Sequence, residues 1–435
     1  MPHAQGRYHN EPGHRARASC LDGVQGARWR RGVRWRDAAI IAICALCVHV
    51  VGCSKLLTTK PDPGERFDAP LDGLDNGELG DFQAGHTQFR KAFTIAEGLG
   101  PIFNNVSCAS CHSGDGRGRP ENILIRFSRG TDLALDVGGP QIQDKYIPGA
   151  EPEQLPAGVD VSARMPPPVF GVGLIEALSD SVILAHEDPG DSNGDGISGR
   201  ANMVTPAAYV PATEPGGGTG PRVGRFGRKA QVSSLLQQTV EAYHQDIGMT
   251  SSYRPVENVN PLASHVVPGL DPARDPELSD GEIEAVMQYM RMLAPPAPGE
   301  WTATRRRGEA LFASAQCASC HVPTMRTGTH EIDALADRDV SLYSDLLLHD
   351  LGDALADNRP DGSADGREWR TAPLWGLRIA REFLNGQLFL LHDGRAHSVD
   401  EAIRLHGGEA AGAVNTYLAM PPEDRAALDD FVGSR

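Results

Sequence analysis

Two short segments carry the residues best suited to chemistry. Cys108, Cys111 and His112 lie in SCASCHSGDGRG, and Cys317, Cys320 and His321 lie in QCASCHVPT. C-x-x-C-H is the attachment signature of c-type haem: both thiols add to the porphyrin vinyl groups, and the adjacent imidazole becomes the proximal iron ligand. Four thiolates could instead hold zinc, and a lone C-x-x-C could be a redox dithiol. Neither explains a His at the same offset twice, and unpaired dithiols in an exported chain would form disulfides. Two covalently bound c-type haems are therefore the expected cofactors.

Helices must present these motifs. Before the second, RRRGEALFAS (305–314) offers Leu311 and Phe312 to a haem edge, with Gly308 permitting close helix approach. Before the first, Phe89, Phe93 and Ala96 have helical spacing, Gly98 and Gly100 stop the helix, and Ile102 and Phe103 take the places of Leu311 and Phe312. The two segments read as versions of one module. Helices are also expected over 229–245, with Val232, Leu235, Leu236 and Val240 on one face, and after Ser279, an N-cap with Glu282 three residues on. The stripe Ile283, Val286, Met287, Met290 and Leu293 ends before Pro295 and Pro296, which puts the boundary between modules at 295–300. Met287 and Met290 read as buried helix positions rather than iron ligands.

Gly and Pro, 49 and 32 residues, make about 19% of the chain, so turns and long connections are expected and long sheets are not. Among the connections, DSNGDGISGRAN (191–202) sets Asp191, Asn193, Asp195 and the Ile197 carbonyl at positions one, three, five and seven of a calcium loop. Position twelve is Asn202 rather than Glu. A structural calcium completed from elsewhere and an ordinary Asx-rich turn are the two readings.

Acidic residues outnumber basic ones 57 to 41, giving a net charge of -16, which argues against nucleic-acid binding. The first 52 residues run the other way, with eight Arg against one Glu and two Asp. Arg28 to Arg36 precede an apolar run at 38–52 that is too short to span a bilayer comfortably and ends VVGC. This resembles a lipobox. The expected organisation is a signal peptide at 1–52, a lipid-bearing Cys53 that anchors the chain to the membrane, and a Pro/Asp/Gly tether at 53–80, in the periplasm or outer cell envelope. A simple signal peptide with an incidental Cys53, or an uncleaved anchor, is the alternative.

The two C-x-x-C-H motifs, together with GLGPIFNNVSCASCH, RMPPPVFGVGLIEAL, DPGDSNGDGISGR, GRFGRKA, YSDLLLHDLG, EWRTAPLWGL and LHDGRAHSVDEAIRLHGGEA, resemble the bacterial di-haem oxidoreductase family, which is similar to the di-haem cytochrome c peroxidases. The resemblance runs from about residue 75 to the C-terminus. It implies an all-α fold of two cytochrome c-like haem domains with long Gly/Pro-rich connections and insertions, at 81–298 and 299–435. One haem would receive electrons and the other would meet peroxide.

In the peroxidases a His-Asp-Gly segment precedes the distal ligand of the second haem by roughly fourteen residues. Here His392, Asp393 and Gly394 lead to His406 at that offset, where the peroxidases place Met. Two imidazoles would favour ferric iron and lower the potential. A capping His before Gly407 is the plainer reading of His406. His349 is a second candidate, as axial ligand or distal proton shuttle. Glu176 is the candidate distal carboxylate, and Arg370 and Arg395 are candidates for pairing with haem propionates. The peroxidases set a Trp between their haems, contributed by the segment after the first haem. This chain has none from Asp37 through Glu300, which leaves Trp375 or Phe226 for that gap.

The expected function is an exported di-haem oxidoreductase exchanging electrons with a soluble or membrane electron-transfer protein. An electron-transfer-only cytochrome with two six-coordinate haems is the runner-up, and a haem-containing partner in a metal-uptake assembly is the third reading.

Overall fold

Asp75 and Ser279 start the two helices on which the first attachment motif rests. Each side chain accepts from a backbone N–H three residues on, and Glu78 and Glu282 return the contact, closing two capping boxes. The resulting helices, Asn76–Arg90 and Asp280–Met292, cross with almost no spacing. A Cβ on Gly85 would lie 2.0 Å from the Ala285 carbonyl oxygen, so only glycine fits. Phe82 and Phe89 pack on Tyr289, with ring centroids 4.9 and 5.2 Å away. The expected stripe from Ile283 to Leu293 is buried throughout.

The second motif follows a similar arrangement. Thr302 caps Ala303–Ser314, which lies against Pro422–Gly433. At Gly308 an added Cβ would stand 2.1 Å from the Ala427 carbonyl oxygen. Phe312, Tyr343 and Phe431 meet edge to face around this crossing.

The computed structural model describes residue 64 and residues 66–435, apart from 113, 115, 265–268 and 385. The expected signal peptide and Cys53 lie outside the described residues. Within the expected tether, Phe67 is buried and stacks on Phe170 at 5.2 Å, and a helix starts at Asn76, so packed structure begins before residue 80. Among the described residues no helix is long and apolar enough to cross a membrane.

The all-α expectation is not met. Five two-stranded antiparallel sheets interleave with the helices among the described residues. The longest pairs Leu124–Ser128 with Asp160–Arg164, and Leu348–Asp350 pairs with Glu368–Arg370. Gly and Pro interrupt helical runs in the connections, and the backbone groups left there find partners in short ribbons instead. No strand exceeds five residues in these sheets, in keeping with the expectation that long sheets would be absent. One ribbon has a direct bearing on the site: its register sets His349 opposite Trp369 and Leu348 opposite Arg370.

Candidate functional site

The second attachment motif opens into a cavity of about 240 Å³. Cys317 and Cys320 belong to a short turn entered through Gln316 in the left-handed region, φ 63°. His321 follows, and its Nδ1 donates to the Tyr343 carbonyl at 2.9 Å, leaving Nε2 as the nitrogen for a metal. His406 closes the helix Val399–Leu405, and its Nδ1 donates to the Ala402 carbonyl at 2.6 Å. Both histidines line this cavity. Burial depresses both, His321 to about 4, so each is held neutral, the form that can bind iron.

Trp369 and His392 form another wall, stacked at 3.8 Å with planes 9° apart. Lys229, fully buried, lies 4.5 Å from the centre of the Trp369 ring and donates to Asp357 at 2.7 Å. Burial lowers His392 to about 4.

The first motif forms the single turn Cys108–Cys111, capped by Ser107, whose hydroxyl accepts from the Ser110 N–H. It opens into a cavity of about 430 Å³. His112 lines it and is depressed to about 4 by burial, against a backbone hydrogen bond to Pro167. His112 is the one histidine in this wall, among the described residues, whereas Met165 and Met290 also line it. The carboxylates here are Glu241, Asp246 and Asp361. Asp361 is held low by Arg126, Arg164 and Arg359 despite its burial. Asp246 behaves oppositely: burial raises it to about 6, against the hydrogen bond at 2.6 Å that Gln141 donates to Oδ1. It sits on the π-helical turn Tyr243–Ile247, whose carbonyl at Asp246 accepts from the N–H groups of Asn104 and Asn105.

The family described as "Di-haem oxidoreductase, putative peroxidase" matches residues 48–129 and 151–435. The chain belongs to this family. Two cavities, each with a dithiol and a half-buried histidine held neutral, fit its haem cofactors. Two solved structures are similar at low identity. One is hydrazine synthase of Kuenenia stuttgartiensis pressurised with xenon, with TM-score 0.38 and 14% identity over 97% of this chain and 100% of the other. The second is a MauG-like protein associated with microbial copper homeostasis, with TM-score 0.29 and 16% identity over 59% of this chain and 88% of the other. No curated protein matches the chain.

Within this di-haem chain several expected site residues stand elsewhere. Glu176 lines neither cavity: Arg291 grips it from Nε at 2.7 Å and Nη2 at 3.3 Å, and both side chains are buried. It is a structural ion pair, not a distal acid. His349 does line the second cavity, but Nε2 meets Asp345 at 2.8 Å and Nδ1 meets Glu409 at 2.8 Å. Burial would depress it, yet the bonds to Asp345, Cys320 and Glu409 outweigh burial and push it up to about 12. His349 ties Asp345 to Glu409 through its two ring nitrogens.

Arg395 is exposed, pairs with Asp393 at 2.6 Å and lines neither cavity. Arg370 lines both, with Nη1 buried and unpaired. In the 191–197 loop the oxygens turn to the chain itself. Asp191 accepts from the Gly196 N–H, and Asp195 accepts from the Ile197 N–H and from Asn193 Nδ2, bonds that both an Asx-rich turn and a calcium loop contain. Ile197 lines the second cavity. Trp375 and Phe226 line the first cavity, and Trp369 the second. Asp246 was not singled out from sequence, and the π-helical turn that brings it to the attachment cysteines leaves no periodic signal.

Proposed function

We propose that this chain is an exported di-haem c-type oxidoreductase with two unlike haem sites, one for electron exchange and one for peroxide-linked chemistry. The observation that carries the reading is the asymmetry of the cavities: His406 joins His321 in the second, while His112 has no histidine counterpart in the first. Cys108 and Cys111 would hold one haem and Cys317 and Cys320 the other, with His112 and His321 as proximal ligands and His406 as the distal ligand of the second. Bound haem iron supplies one-electron redox chemistry, with peroxide reduction where a coordination position is open.

The protein's own groups divide the remaining work. Tyr343 and Ala402 fix the orientation of His321 and His406 through Nδ1, so each presents Nε2. Asp246 is the carboxylate of the first cavity that can hold a proton near neutral pH and release it to a substrate oxygen, with Gln141 fixing Oδ1. The apolar wall of Phe89, Phe170 and Leu235 excludes bulk water from that cavity. Electrons would arrive from a soluble or membrane electron-transfer protein, and an acylated Cys53 would hold the enzyme at the membrane. The VVGC sequence after a short apolar run supports that anchor.

An electron-transfer-only protein is favoured by one observation, the presence of Met165 and Met290 in the first cavity, since thioether sulfur can ligate haem iron. Peroxide consumption by the purified protein, with a reduced one-electron donor, separates the two readings. Catalytic turnover with two haems retained after denaturation supports the oxidoreductase. Two covalent haems without turnover support the relay.

A further inference from the structure

Guanidinium groups drawn into the interior of this protein usually meet a carboxylate. Arg164 pairs with Asp361 at 2.7 Å, Arg291 with Glu176 at 2.7 Å, and Arg225 with Asp180. Arg117, Arg228 and Arg370 depart from this pattern. Arg117 donates to the Phe389 carbonyl at 3.2 Å, Arg228 donates twice to the Met165 carbonyl at 3.0 and 2.8 Å, and Arg370 donates from Nε to the Gly227 carbonyl at 3.0 Å. Among the described residues none of the three has a carboxylate ion pair, and Nη1 of Arg370 has no partner. Cations drawn from water without a counter-charge are costly, so a wall that gathers three guanidinium groups, Arg117 buried and Arg228 and Arg370 half-buried, suits an anion.

Their position says which anion. All three line the second cavity, and Arg228 and Arg370 also line the first. With Pro168, Ala372 and Pro373 they form the wall that the two cavities share. The backbone supports the pairing, since the Arg370 N–H donates to the Arg228 carbonyl at 3.1 Å.

We infer that Arg117, Arg228 and Arg370 form a carboxylate-binding wall for haem propionates, with Arg228 and Arg370 shared by the two cofactors, so that one pair of cations sets the electron affinity of both irons. The inference rests on the proposed occupation of both cavities by haem. A planar guanidinium pairs with carboxylate in a fork that a point charge cannot reproduce. A cation beside a haem also opposes the added positive charge of ferric iron, so its removal lowers the midpoint potential.

Potentiometric titration of the full-length holoprotein, following each haem by its own absorption, tests this. Arg228→Gln should lower both midpoint potentials, Arg370→Gln should do the same, and Arg117→Gln should lower only that of the Cys317/Cys320 haem. Arg228→Lys, which keeps the charge, should remain closer to wild type than Arg228→Gln. If Arg228→Gln and Arg370→Gln each move one potential or neither, in proteins that retain two covalent haems, the shared wall is rejected and the di-haem reading stands. Wild-type protein without covalent haem would reject both.

Discussion

At the scale of single residues the proposal turns on three groups. Replacing Cys108 and Cys111 by Ala should leave one covalent haem, on Cys317 and Cys320, detected by haem staining and mass after denaturation. His406→Gly should keep both attachments yet convert one low-spin haem to a high-spin or water-ligated form, read by paramagnetic resonance. Asp246→Asn should lower peroxide turnover by about 10²-fold, a common cost of losing a positioned acid. The sign of its pH dependence follows from burial, which raises the folded carboxyl to about 6. The proton is bound below that value and lost above it, so turnover should fall as pH rises through about 6, and the Asn variant should lack that limb. For the same reason the contribution of Asp246 to stability is present below the ordinary Asp range and is lost as pH rises through about 6. The two C-x-x-C-H motifs were legible because their residues are adjacent in sequence, and His406 was singled out by its offset from His392; the structure places it on the same cavity as His321. Asp246 and the ion pair of Glu176 were not legible, since Arg291 lies 115 positions from Glu176 and the fold alone brings them together.

At the scale of elements, two glycines govern how the helices carry the motifs. Gly85→Ala would force a methyl group against the Ala285 carbonyl, and Gly308→Ala against the Ala427 carbonyl, with backbone on the opposing side that cannot swing away. Each should destabilise the protein by about 1–3 kcal/mol, the usual range for overpacking, seen as a lowered thermal midpoint with unchanged haem content. The cap at Ser279 with its apolar stripe made the helix over 280–292 readable, and the run RRRGEALFAS the helix over 303–314. The helix expected through Phe89, Phe93 and Ala96 instead runs Asn76–Arg90 and ends before Phe93, with Ile102 and Phe103 in a short strand. The ribbons were not readable, because strands of two to five residues are too short to display an alternating pattern, and their pairing joins distant segments such as 124–128 and 160–164. Yet the ribbon joining 348–350 to 368–370 sets Trp369 and Arg370 on cavity walls, so the least readable elements shape the site.

At the scale of the whole molecule, two cavities with unlike histidines share a wall of arginines, and the proposed function gives them different tasks. Bis-histidine ligation would give the second haem a low potential, which the shared cations would partly offset. Anchoring adds a further expectation: mass spectrometry of membrane-extracted protein should find an acylated Cys53 at the mature terminus, and Cys53→Ala should release the protein or misprocess it. The central claim, one closed and one open haem, is tested most directly by paramagnetic resonance of the fully ferric holoprotein before and after peroxide addition. A low-spin bis-histidine signal that peroxide leaves unchanged, beside a second signal that peroxide abolishes, is the expected result. Two low-spin signals, both indifferent to peroxide, would contradict it.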